Sequence, residues 1–149
     1  MDWAVVFKIA NSSALLGWIA LIAFPRYEIL LTILQRLLVS VFCLLYTIVI
    51  ALALSQIKGG GFSSLEQVKT LFSYDIVVCA GWVHYLAFEL FVGLWVAKKA
   101  DAMGLHRLLQ VPILLLIFLF GPAGLGLFYL VEGGTKLASK RPASSQHNP

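Results

Sequence analysis

An all-α fold, a four-helix transmembrane bundle with a short interfacial helix between the second and third spans, is what this chain predicts, on three observations. Hydrophobic residues make up 60% of the 149 positions and charged ones only 12%, whereas a soluble domain carries about 25% charge. Mean hydropathy is +0.92. Four apolar stretches, about 3–24, 37–57, 76–97 and 108–131, each reach the roughly 20 residues needed to cross a hydrocarbon core at about 1.5 Å per residue. The expected organisation is a single four-span domain over 1–134 and a polar, Ser/Pro-containing, disordered tail over 135–149.

The first span follows Asp2 rather than a basic segment, and its apolar run is too long for a signal-peptide core, so it is expected to stay in the protein. An Arg- and Ser-rich transit peptide is not seen either, which favours a bacterial plasma membrane over a plastid. After the second span, Gly59-Gly60-Gly61 breaks the chain and Ser63-Ser64-Leu65-Glu66 has capping-box spacing. The helix that starts there puts Leu65, Val68, Leu71 and Phe72 on one face and Glu66, Gln67, Lys69 and Thr70 on the other, a pattern for lying in the headgroup plane. In the fourth span Gly121-Pro122-Ala123-Gly124 interrupts the helix, and Pro122 has no N–H to offer the carbonyl of Phe118.

Four crossings would return both ends to one face, here called side A. Side A then holds Lys58, Lys69, Lys136, Lys140 and Arg141, and side B holds Arg26, Arg36, Lys98, Lys99 and Arg107. Five against five gives the positive-inside rule no asymmetry to act on. The net charge of +4 is spread over both faces, which suits lipid headgroups, and no basic cluster with interleaved aromatics points to nucleic acid. Cys43 and Cys79 fall at different depths, so no disulfide is expected.

The third span carries the most informative residues. An ionisable group inside such a segment costs about 2.5 to 3.5 kcal/mol on insertion scales unless a partner or a task offsets it, and this span holds both His84 and Glu89. On a helical wheel the two lie about 140° apart, too far for a direct pair, and flank a strip floored by Gly81 and Val92 that can admit a helix or the edge of an apolar ligand. By depth, at about 1.5 Å per residue, Asn11, Ser12, Tyr46 and the carbonyl freed by Pro122 fall near the same level, so polar atoms from four helices can converge on one cavity. With Trp82, Tyr85 and Phe88 these are the candidate binding residues. The same residues also fit a plainer reading: Ser, Asn and His side chains bond across helices to hold a bundle together at about 0.6 kcal/mol each. Equally, Trp82, Tyr85 and Phe88 serve as packing and interface anchors, and Gly121-Pro122 can be a simple kink. No metal is expected, since His84 has no second ligand at helical spacing, and Gly59-Gly60-Gly61 lacks the Lys-Ser/Thr of a phosphate loop.

Three stretches resemble the abscisic-acid-deficient-four family: Leu71-Phe72-Ser73, the run from Gly81-Trp82-Val83-His84 through Glu89-Leu90-Phe91-Val92-Gly93, and Leu119-Phe120-Gly121-Pro122-Ala123-Gly124. The resemblance implies a small four-helix membrane protein of plastids or bacteria. Plant members are required to form neoxanthin from violaxanthin, and many bacterial members carry no assigned activity. The family's acidic position is usually aspartate, and here it is Glu89.

What the resemblance implies chemically is the isomerisation of an epoxy-carotenoid to an allene, which needs no redox cofactor. An acid protonates the epoxide oxygen while a base removes a proton from the polyene. A desolvated carboxyl favours its neutral form and a desolvated imidazole likewise, so Glu89 is expected as the acid and His84 as the base. The partners expected are the bilayer and a carotenoid or other isoprenoid ligand, with no nucleic acid. The competing reading is a non-catalytic scaffold or pigment-binding protein that needs only the shape of the cavity.

Overall fold

The computed structural model describes residues 2–139, and among them every regular element is a helix. In order these are α1 (Trp3–Ala23), α2 (Glu28–Leu54), α3 (Leu65–Leu71), α4 (Asp75–Ala102) and α5 (Arg107–Ser139). All but α3 are long and apolar enough to cross a membrane, so the protein is a multi-pass integral membrane protein of the all-α class. Residues 140–149 of the expected tail lie outside the described residues, and α5 stays helical beyond 134, to Ser139.

Each helix end has a local cause. The Asp2 carboxylate accepts from the Ala4 N–H at 2.9 Å and starts α1. At the other end the Arg107 guanidinium donates to the carbonyls of Ile22 (3.0 Å) and Ala23 (2.6 Å), which an unaided helix terminus leaves without partners. The second span begins at Glu28, well before the expected 37, and passes through five π-helical residues, Leu34–Leu38. The short helix between spans is α3, but its cap is shifted by one residue from the expected Ser63/Glu66 pair. Ser64 Oγ accepts from the Gln67 N–H at 3.2 Å while Gln67 Oε1 accepts from the Ser63 N–H at 3.3 Å.

The bundle is organised around α4, which packs against α1, α2 and α5. Close approach depends on small residues, as membrane interfaces without a hydrophobic driving force require. On α1, Ala10, Ala14, Gly17, Trp18 and Leu21 form the buried face, and the Trp18 indole lies on Gly93 of α4 so closely that any Cβ there would overlap the ring.

The path of α5 departs from a straight crossing. Phe120 leaves the helical region at φ −146°, ψ 53°. A Cβ at Gly124 would overlap the backbone of Ile117, seven positions earlier, a contact that a straight helix, about 10 Å long over that interval, cannot make. Contacts with α4 show the direction on either side of the break. Phe118 meets Tyr85, Gly121 meets Glu89, Phe128 meets Trp95 and Glu132 meets Lys99. The first arm of α5 therefore runs down α4 from side B to the level of Tyr85, and the second arm climbs back beside α4 to side B. Among the described residues this departs from the expectation that both ends share a face: α1 begins on side A, and α5 runs beside Lys99 on side B.

The carbonyl that Pro122 leaves without its helical donor is satisfied across the interface. Tyr85 donates its hydroxyl to the Phe118 oxygen at 3.2 Å. Tyr85→Phe is expected to lower stability by about 0.6 kcal/mol and at most about 1.7, the range of such bonds between membrane helices. Thermal unfolding in detergent measures it.

Candidate functional site

The residues singled out in the sequence fall into two groups on the flanks of α4. The first gathers beneath the reversal of α5. There Trp82 donates its indole N–H to Asn11 Oδ1 of α1 at 3.2 Å. Its ring packs between Phe7 and Tyr85, each at 5.3 Å between centroids. Four residues, one helical turn, above Tyr85 is Glu89, half-buried, with its carboxyl against Gly121 at the start of the second arm. A Cβ at position 121 would overlap both carboxyl oxygens, so only glycine leaves Glu89 its place. One of these oxygens, Oε2, is buried and has no hydrogen-bond partner among the described residues.

A carboxyl in that position can give or take a proton only with a partner brought within hydrogen-bond reach.

The second group lies towards α2. His84 is exposed on the surface of the bundle, stacked on Phe88 at 4.6 Å and tilted against the ring of Tyr46 at 5.3 Å. Beyond Phe88 a groove of about 490 Å³ runs between α2 and α4, lined by Gln35, Arg36, Val39, Ser40, Cys43, Ala87, Phe88 and Phe91. The π-helical segment of α2 forms one wall, a distortion often found where a helix serves a ligand. Its far end is polar, with Lys98 donating to Gln35 Oε1 at 2.5 Å. An adjoining hollow of about 320 Å³ continues over Phe91, Val92 and Trp95 to Leu125 and Tyr129 of the second arm. His84, Phe88, Phe91 and Trp95 thus make an exposed aromatic strip along α4, open to lipid.

His84 and Glu89 share no hydrogen bond or ring contact among the described residues. They are about 7.5 Å apart along α4 and about 140° apart around it, which excludes a direct imidazole–carboxyl bond. Ser12 is exposed on α1, and Pro122 is exposed in the first turn of the second arm, where a proline is tolerated because its N–H would have no helical partner. Neither makes a described side-chain contact with His84 or Glu89.

Two features lie beyond what the sequence alone conveys. Gly121 is visible there as part of a break but not as the floor under Glu89, because that contact exists only once α5 folds back. Glu132 draws no notice in the sequence because it follows the expected end of the fourth span. It is the most buried acid described, at 6% exposure, and it accepts from Lys99 at 2.9 Å and Lys136 at 2.6 Å. Its spacing of four from Lys136 is the available signal.

A protein-family model described as ABA DEFICIENT 4-like matches residues 5–128. No curated protein and no solved structure matches the chain.

Proposed function

The chain belongs to the ABA DEFICIENT 4-like family, and from that premise we propose that it binds a carotenoid-like or other isoprenoid lipid against α4 and isomerises it by acid/base chemistry. The observation that carries this reading is the Glu89 carboxyl, held within the α4 span against Gly121 with one oxygen buried and without a partner among the described residues. A group that serves only to hold helices together would find a donor there, since an unmade bond in lipid costs more than the bond is worth elsewhere.

The ligand's apolar length follows the aromatic strip of Phe88, Phe91 and Trp95, and its reacting end lies between His84 and Glu89. The step balances within one molecule. Glu89 gives its proton to the epoxide oxygen as the C–O bond breaks. His84 takes the proton of the adjacent polyene carbon, whose C–H electrons form the new cumulated double bond. The product is an isomer of the substrate, and proton exchange with solvent resets the pair. A second reading, a pigment-binding scaffold, is favoured by the lack of any contact between His84 and Glu89, and it needs only the strip.

Chromatography of the lipid extract that co-purifies with the detergent-solubilised protein tests the binding claim shared by both. An isoprenoid retained at near-stoichiometric amount, and lost from Phe88→Ala, is the expected result. An extract holding bulk phospholipid alone contradicts it.

A further inference from the structure

The reversal of α5 decides which way the protein sits in its membrane, a property that neither family nor composition assigns. We propose that α5 enters and leaves through the same face, so that the polypeptide crosses three times, and that this face, side B, is cytoplasmic.

The first part rests on distance. Lys99 lies at the side B end of α4, where the Leu105 N–H donates to the Ala100 carbonyl at 2.9 Å and Arg26 pairs with Asp101. Arg107 reaches the end of α1 at the same level. Glu132 is 25 residues after Arg107, about 37 Å along a straight helix, yet its carboxylate meets Lys99 at 2.9 Å. Only a folded α5 permits that. Irregular backbone inside a bilayer survives where protein satisfies its polar groups, and the Tyr85 hydroxyl does so for Phe118.

The second part follows from the first. With straight crossings the basic residues tie, because Lys136 and the tail count for side A. With α5 folded back, Lys136 joins Arg26, Lys98, Lys99 and Arg107, and of the basic residues in described loops and helix ends only Lys58 and Lys69 remain on side A, Lys8 and Arg36 both lying inside spans. Five against two is the asymmetry that sets orientation, and acidic residues weigh little in it. The same five charges suit the anionic lipid of the cytoplasmic leaflet.

Two measurements on the full chain test it. In a background with Cys43→Ser and Cys79→Ala, single cysteines are placed by Ser63→Cys on the side A loop, His106→Cys on the side B turn and Gly134→Cys on the second arm, where a Cβ meets nothing within 4 Å. A membrane-impermeant maleimide should label His106→Cys and Gly134→Cys in inverted bacterial membrane vesicles and Ser63→Cys in intact spheroplasts, each with at least about tenfold preference. Labelling of Gly134→Cys together with Ser63→Cys, or from neither side, overturns the folded path. His106→Cys and Gly134→Cys labelled together in spheroplasts overturns the orientation.

Zero-length carbodiimide coupling of the unmutated protein supplies the second measurement and needs no variant to fold. A Lys99–Glu132 linkage is expected beside the Lys136–Glu132 linkage that any helix allows. The latter without the former overturns the reversal.

Discussion

Glu89→Gln should lower turnover by about 10² to 10⁴, the usual weight of a positioned acid or base, while the protein stays folded and keeps its lipid. The amide has the size of the neutral carboxyl, so it fits against Gly121, but it has no proton to give. Because Glu89 has no described hydrogen-bond partner to lose, stability gives no reason for the change to be harmful. Unfolding of Glu89→Gln would make the residue a structural support instead, and full activity would remove it from the chemistry and favour the scaffold. Melting temperature, retained isoprenoid and product formation, measured together, separate the three outcomes.

Gly121→Ala should disturb the site more than any other small substitution beside Glu89. Its Cβ would overlap both Glu89 oxygens, and relief requires moving either the carboxyl or the start of the second arm. Forcing extra atoms into a packed site costs about 1 to 3 kcal/mol, and here the movement would also misplace the acid. Coupling gives the decisive readout: Gly121→Ala combined with Glu89→Ala should recover much of the lost stability, because the truncated side chain vacates the space. Additive losses in the double mutant would show that the two residues do not share that space.

The fold class is legible in the sequence because it rests on quantities that the chain displays directly: apolar runs of bilayer length, few charges, and glycine and serine punctuation before α3. The candidate residues are legible for the same reason, since His84 and Glu89 stand out against apolar neighbours. Their arrangement is less so. The wheel places them about 140° apart, which anticipates the absence of a direct pair, but not that Glu89 lies beneath the second arm while His84 faces Tyr46. The break at Gly121-Pro122 is equally visible, and a proline break is compatible with a kink or with a full reversal. What selects reversal is tertiary: Glu132 in reach of Lys99, Tyr85 in reach of Phe118, and Gly124 against Ile117. Periodicity along one helix carries no information about such contacts. The shift of the α3 cap from Ser63 to Ser64 is a smaller case, because two adjacent serines each stand three residues before a Glu or Gln, and Gly60, at φ 87° with Leu71 packed against it, belongs to the turn that fixes the register.

Product formation tests whether a membrane-embedded carboxyl isomerises an isoprenoid. Purified protein in lipid vesicles is supplied with an epoxy-polyene, and the mixture is followed by chromatography with mass detection. A new species of unchanged mass carrying an allene is expected, growing with protein concentration and reduced by about 10² or more with Glu89→Gln. A wild-type protein that retains the polyene but yields no isomer, or a Glu89→Gln variant that yields as much as the wild type, would contradict it.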